Sequence, residues 1–130
     1  MHAVALVTRY DAPTRRALKF AEALEPGSLV ALNVCTEVAG TNELIAQWAR
    51  RLIDIPLRCT YPLGDDPVLE FVDSLRREHP DDAVVVVVPV VAVPHWWQHP
   101  LHRPPDPTIT RRLAGLDRVM IAEVPWQLGL

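Results

Sequence analysis

The chain has 130 residues, which is the size of one domain that can bury a substantial hydrophobic core. Hydrophobic residues make up 49% of the sequence, a share that excludes an intrinsically disordered chain. The net charge of -3 argues against nucleic-acid binding driven by neutralisation of phosphates. We therefore expect a single domain over residues 1–130, with no nucleic-acid partner.

Two cysteines and the lengths of the apolar runs bear on the cellular compartment. Cys35 ends one predicted strand and Cys59 lies in the next, and neither belongs to a Cys-x-x-Cys motif, so we predict buried thiols and no disulfide. No apolar stretch reaches the roughly 18 residues of a membrane span, and the longest contains Pro89. The N-terminus lacks the basic region and cleavage site of a secretory signal. These features predict a soluble, cytoplasmic domain.

The first elements along the chain are a strand, a helix and a second strand. The apolar run Ala3–Thr8 predicts the first strand. Asp11 can cap a helix that has Pro13 in its first turn, where a missing N–H costs nothing. The helix is expected to end at the Glu-Pro-Gly tripeptide of residues 25–27, and Ser28–Val34 predicts the second strand.

Two further helices enclose a third strand. Thr41 is the predicted N-cap of the second helix, which has apolar residues at three- and four-residue spacing, namely Leu44, Ile45, Trp48 and Leu52. Pro56–Tyr61 predicts the third strand. The turn before Pro67 places that proline at the first position of a third helix, with an apolar stripe of Val68, Leu69, Val72 and Leu75.

The last third holds a valine-rich strand, a proline-rich loop, a short helix and a final strand. The strand at Ala83–Val88 has no polar side to offer water, so we expect it to be buried on both faces. The short helix is predicted at Thr108–Leu116 and the final strand at Val119–Val124. Alternating strands and helices predict an α/β fold with a single doubly wound, mostly parallel five-stranded sheet of order 3-2-1-4-5.

Near the C-terminus, the chain carries motifs of a known family. Residues 93–97 read Val-Pro-His-Trp-Trp, Leu101 and His102 follow, and residues 119–128 end in Val-Pro-Trp-Gln-Leu. With these motifs the chain resembles the universal stress protein (UspA-like) fold, and more narrowly the cytosolic C-terminal domain of bacterial permeases of the amino acid/polyamine/organocation superfamily. The resemblance implies a non-catalytic regulatory or dimerisation domain, tethered to the membrane through a permease portion in cis or in trans. It also implies an adenine-containing ligand such as cyclic di-AMP.

The sequence departs from nucleotide-binding universal stress proteins after the fourth strand. Those proteins carry a glycine-rich motif there whose backbone N–H groups cradle phosphate. The stretch from Pro89 to Thr110 contains no glycine, and several of its residues lack an N–H group, namely Pro89, Pro94, Pro100, Pro104, Pro105 and Pro107. We therefore expect no ATP binding in the usual mode. A free-standing universal stress protein that binds ATP or another nucleotide is the alternative.

Candidate ligand-binding residues cluster where the first and fourth strands are expected to end, because a doubly wound sheet binds ligands at that point. Thr8, Arg9 and Asp11 lie at the end of the first strand, and the resemblance implies that Asp11 contacts an adenine or ribose, although Asp11 also fits a plain helix cap. Arginine forks suit phosphate, and four could converge there, namely Arg15, Arg16, Arg111 and Arg112, unless they form solvated helix faces.

Aromatic and histidine residues of the proline-rich loop offer two further interpretations. Trp96 and Trp97 could stack on an adenine or a partner, although both could also serve packing. The spacing of His95, His99 and His102 resembles a zinc site, but the flanking prolines favour histidines that cap a helix or face solvent. We therefore predict neither a metal nor a cofactor.

The final strand is the predicted interface of a homodimer. An apolar edge strand is a liability unless it is paired or covered. The predicted interface comprises Val119, Met120, Ile121, Ala122, Glu123, Val124 and Trp126.

The sequence contains no nucleophile elbow or Walker motif, and its acidic pair Asp81 and Asp82 precedes the fourth strand, at the wrong end of the sheet for chemistry. We therefore predict that the protein is not an enzyme.

Overall fold

The computed structural model describes residues 1–62, 66–92, 112–113 and 115–127. Its elements in chain order are β1 His2–Leu6, α1 Ala12–Ala23, β2 Ser28–Val34, α2 Val38–Arg50, β3 Leu57–Thr60, α3 Pro67–Glu78, β4 Val84–Ala92 and β5 Val119–Gln127. Between β4 and β5, Arg112 and Leu113 are helical. Residues 108–111 and 114 of the predicted helix, and the proline-rich loop before it, lie outside the described residues. Gly115 and Leu116, predicted as the end of this helix, are not helical.

The five strands form one parallel sheet in the order β3-β2-β1-β4-β5, which confirms the predicted α/β fold class and strand order. β1 lies at the centre, where Ala5 is aligned with Ala31 of β2 and Val87 of β4. The chain adds β2 and β3 on one side of β1, and β4 and β5 on the other side. The direction in which strands are added to the sheet therefore reverses between β1 and β4. This reversal creates the switch point at which such sheets bind ligands.

Side chains of the central strands alternate between two core layers, one on each face of the sheet. Ala5, Val85 and Val87 belong to the first layer, together with apolar residues of α1 and α2. Val4 and Val86 belong to the second layer, which is completed by residues of α3 and by Leu113. Every valine from 84 to 87 is buried, so the valine run is explained by a strand that is covered on both sides.

Helices α1 and α3 begin in the same way. The Asp11 carboxylate accepts a hydrogen bond from the Thr14 N–H at 3.0 Å, and the Asp66 carboxylate accepts one from the Leu69 N–H at 3.0 Å. Each helix has a proline within its first two positions. Such a side-chain cap contributes about 1 kcal/mol, so both helix starts are encoded locally.

The predicted start of α2 was wrong. The helix begins at Val38, and its N-cap Glu37 makes no side-chain capping bond. Thr41 lies inside the helix and is buried, and its hydroxyl donates to Asn33 Oδ1 at 3.0 Å. Thr41 therefore forms a buried hydrogen bond to β2 and does not cap the helix. The Asn33 side chain needs such a polar partner because it lies in the core.

Strand limits differ from the prediction in several strands. β1 ends at Leu6, so Thr8 follows the strand and does not belong to it. β4 continues through Pro89 to Ala92, and β5 continues to Gln127, the two being paired over this whole length. β1 pairs only with Val84–Val87 of β4. Pro89 therefore lies where β4 has no β1 neighbour, a position at which a proline is tolerated.

Exposure departs from the prediction along α2 and β3. Leu44 and Trp48 are buried as expected, but Ile45 is half-exposed and Leu52 is 84% exposed. Both cysteines are free, as predicted, yet only one of them is buried. The exposed cysteine belongs to β3, a four-residue strand at the sheet edge. The Cys59 thiol reaches solvent because β3 lies at the edge of the sheet. The partial burial of this thiol still raises its pKa.

Candidate functional site

Residues that follow β1 lie at the switch point of the sheet. Thr8 and Arg9 are exposed there, in the short segment between β1 and the N-cap of α1. The neighbouring strand β4 ends at Ala92 on the same edge, because the strands are parallel. The predicted position of the crevice, at the carboxyl edge between β1 and β4, therefore agrees with the topology.

Asp11 is bound as a helix cap. Its Oδ1 accepts the Thr14 N–H, and its Oδ2 lies 3.6 Å from Nε of Arg9. The Thr14 hydroxyl donates to the Arg9 carbonyl at 2.7 Å, which fixes the backbone of this turn. The Arg9 side chain itself is 80% exposed, so its contact with Asp11 is weak and its guanidinium can reach a ligand.

Three of the four predicted arginines belong to the described residues, and they lie on elements that cover opposite faces of the sheet. Arg15 and Arg16 are exposed in the first turns of α1, on the side of the first core layer. Arg112 belongs to the other side, where its Nη1 lies 3.6 Å from Oδ2 of the α3 cap Asp66. Arg112 is thus an ion-pair partner of a buried helix cap, and it remains half-exposed.

A stack of aromatic and basic groups adjoins the first turn of α1. Tyr10 packs edge-on against Trp48, with the ring centroids 6.0 Å apart. The guanidinium carbons of Arg51 and Arg15 lie 4.8 Å and 5.9 Å from the Tyr10 ring centroid. The groove beside them has a volume of about 250 Å³ and is lined by Tyr10, Arg15, Leu18, Lys19, Glu22, Ile53, Asp54 and Ile55. Charges of both signs line it, which suits a polar ligand better than an apolar one.

A buried hydrogen-bond pair supports this edge, and the sequence interpretation missed it. Asn33 Nδ2 donates to the Val7 carbonyl at 2.9 Å, and Asn33 Oδ1 accepts the Thr41 hydroxyl. The pair therefore ties the end of β1 to β2 and to α2. The available signal was one asparagine inside the otherwise apolar strand Ser28–Val34, since a buried amide requires partners.

Several predicted site residues lie outside the described part of the chain. They are the two tryptophans, the three histidines of the proline-rich loop and one arginine, namely Trp96, Trp97, His95, His99, His102 and Arg111. Their proposed roles stay predictions.

A comparison with known protein families identifies the family of this chain. The model of the KimA potassium transporter C-terminal domain matches residues 1–126 of its 130 residues. The chain belongs to this family. No individual curated protein matches the sequence. The predicted relationship to a permease C-terminal domain is thereby confirmed at the level of a transporter domain, whereas the universal stress protein resemblance stays a prediction.

Two structural features are relevant to a transporter domain of the KimA family. Across the described residues, no helix is both long and apolar enough to cross a membrane. β5 lies at the edge of the sheet, as predicted, with Met120 52% exposed and Val124 buried. For Trp126, the structure describes only the backbone, which pairs with Val91. An edge strand leaves a row of backbone N–H and C=O groups unpaired, so β5 is the element for which a partner outside the domain has to be considered.

Proposed function

We propose that this chain is the non-catalytic regulatory domain of a potassium transporter, working on the cytoplasmic side with a membrane permease portion in cis or in trans. The observation that carries the proposal is the family match, which spans nearly the whole chain. In this role the domain senses an adenine-containing ligand and pairs with a second copy of itself. Cyclic di-AMP is the first candidate ligand.

The carboxyl edge is the proposed ligand site. The switch point between β1 and β4 lies there, and three exposed arginines follow β1, with Arg9 before the helix and Arg15 and Arg16 in the first turns of α1. Tyr10 adds an aromatic ring beside the guanidinium group of Arg15. Arginine forks bind phosphate oxygens and aromatic rings stack on bases, so this edge offers both kinds of contact.

Composition of the loop after β4 favours a cyclic dinucleotide over ATP. A triphosphate is usually held by backbone N–H groups of a glycine-rich loop. Residues 93–110 contain no glycine and five prolines. A cyclic dinucleotide carries two separate phosphodiesters with one negative charge each, and separate arginine side chains can neutralise such charges without a glycine loop.

A thermal-shift panel with cyclic di-AMP, ATP, ADP and AMP tests the ligand. Cyclic di-AMP at a hundred times its dissociation constant is expected to add about 2.7 kcal/mol to the free energy of unfolding. Arg9→Ala should weaken this effect, since its exposed guanidinium is placed to meet phosphate. Arg58→Ala is the matched control, because Arg58 is exposed on β3, at an edge of the sheet.

The outcomes of this panel separate the two candidate functions. Stabilisation by ATP, with none by cyclic di-AMP, would replace the proposal by the alternative of a nucleotide-binding universal stress protein. No stabilisation by any of the four nucleotides would reject a ligand-sensing role and leave a dimerisation module.

The last strand is the proposed dimer interface. β5 has nine residues and β4 as its neighbour in the sheet, so its outer edge can pair with a second β5. The half-buried Ile121 and Ala122 and the exposed Met120 would be covered by such pairing. The interface would extend the sheet across both chains.

Sedimentation equilibrium tests this interface. The wild-type chain is expected to sediment as a dimer, whereas Met120→Lys is expected to sediment as a monomer because a lysine places a charge on the apolar edge strand, which opposes pairing with another strand. Val38→Lys replaces an equally apolar, exposed residue of α2 and should leave the dimer intact. A wild-type monomer at high micromolar concentration would reject the interface.

A further inference from the structure

We propose that His2, His79 and Asp82 bind one divalent transition-metal ion of the zinc class at the amino edge of the sheet. One donor atom from each of the three side chains lies within 4.8 Å of the others. This cluster is separate from the carboxyl edge, since β1 and β4 start beside it. Neither the family match nor the proposed ligand site assigns a role to it.

His2 is held in place from both sides of its ring. It is the first residue of β1, where it is aligned with Ser28 of β2 and Val84 of β4 and is buried. Its Nδ1 lies 2.6 Å from the Ser28 hydroxyl oxygen, and its Nε2 lies 2.9 Å from Oδ2 of Asp82. When Nδ1–H donates to Ser28, Nε2 presents a lone pair toward Asp82. A metal-binding histidine is oriented by its second nitrogen in this way.

The turn from His79 to Asp82 is fixed by backbone hydrogen bonds. The Asp82 N–H donates to the His79 carbonyl at 3.1 Å. Arg118 Nη1 donates to the carbonyl oxygens of His79 and Asp82, at 3.0 Å and 2.6 Å. Arg118 has a φ of 63°, a conformation that non-glycine residues seldom adopt. The strained residue thus positions the backbone of two of the three ligands.

The donor atoms need only small movements to form a tetrahedral site. Zinc bonds of about 2.0–2.1 Å place neighbouring ligand atoms roughly 3.3 Å apart. His2 Nε2 and Asp82 Oδ2 are already close to that separation. The His79 ring is stacked on His2, with the centroids 3.9 Å apart, and is half-buried. Rotation about its side-chain bonds can bring one of its nitrogens to the ion, and water can fill the fourth position.

The donor set favours zinc, cobalt and nickel over magnesium and calcium. Two imidazoles and one carboxylate suit borderline transition metals, whereas hard cations prefer oxygen ligands alone. The metal would replace the hydrogen bond between His2 and Asp82 by two metal–ligand bonds, and the ring proton of neutral His2 would move from Nε2 to Nδ1, where it is donated to the Ser28 hydroxyl oxygen. The metal would also join the C-terminal end of α3 to the start of β1. We therefore expect the ion to stabilise the fold.

Thermal unfolding with Zn²⁺ and Co²⁺ tests the site. The melting temperature is expected to rise with either ion and to stay constant with Mg²⁺, and bound Co²⁺ should show the absorption of a tetrahedral complex. His79→Gln is expected to weaken binding at least tenfold while leaving the fold intact, because His79 is half-buried and lies at the end of α3. Asp82→Asn should have the same effect on binding.

Two other ways of binding metal are distinguished by the same variants. Binding by the amino group of Met1 together with His2 would survive His79→Gln. Binding by the proline-rich loop would survive His79→Gln and disappear in a chain with His95, His99 and His102 all replaced by Gln. Either result, or no response to Zn²⁺ and Co²⁺, would overturn the proposal. Binding that is unchanged in the triple variant and lost in His79→Gln would support it.

Discussion

Replacing Trp48 by alanine is expected to lower the free energy of unfolding by about 3–5 kcal/mol, the usual cost of removing a large buried aromatic side chain. Trp48 lies in α2 and is buried in the first core layer. Its indole Nε1 donates to the Ile55 carbonyl at 2.8 Å, and its ring meets Tyr10 edge-on. The substitution would therefore leave a cavity, an unpaired carbonyl and a less supported Tyr10.

Urea unfolding followed by circular dichroism measures this loss, with Trp48→Phe as the matched control. Phenylalanine keeps an aromatic ring in the core and removes the N–H donor, so its cost should be smaller, about 1–2 kcal/mol. A loss below about 1 kcal/mol for Trp48→Ala would contradict the described packing of α2 on the sheet.

Replacing Leu113 by alanine is expected to cost about 2–5 kcal/mol. Leu113 is 1% exposed and belongs to the second core layer, together with Val84 and Val86. It comes from the helical segment between β4 and β5, so its burial ties that segment to the face of the sheet that α3 covers. The same anchor positions its neighbour Arg112 beside the cap of α3.

Leu116→Ala is the control for this second substitution. Leu116 packs against the same layer but is only partly buried, so its truncation should cost less than that of Leu113. Equal losses in urea unfolding, or a Leu113→Ala loss within the error of the measurement, would show that Leu113 does not fill the core in the way described.

Strand order and helix placement could be predicted because they rest on local and periodic signals. A run of valines without a polar side indicates a strand buried on both faces, and Asp11 and Pro13 mark a helix start through nearest-neighbour chemistry. The start of α2 was predicted wrongly because the Thr41 hydroxyl does not cap the helix. It donates a hydrogen bond to Asn33, which lies eight residues away in a different element. Long-range hydrogen bonds of this kind leave no periodic trace in a sequence.

The candidate sites could be predicted only in part, for a related reason. Parallel strands place the residues after β1 at one edge, so Arg9 and Asp11 were located from topology alone. The pairing of Arg112 with the cap Asp66 depends on how α3 packs, which no spacing reveals. His2 and Asp82 are 80 residues apart in sequence and meet because β1 and β4 are neighbours in the sheet.

Hydrogen–deuterium exchange with and without cyclic di-AMP tests the central claim most directly, namely that the carboxyl edge between β1 and β4 is a ligand site. Slower exchange is expected in peptides that cover residues 8–16 and in peptides that follow β4 in sequence, because bound ligand shields their backbone amides. Peptides that cover the starts of β1 and β4 should exchange at the same rate in both samples. Protection confined to those amino-edge peptides, or no change anywhere at saturating ligand, would contradict the account.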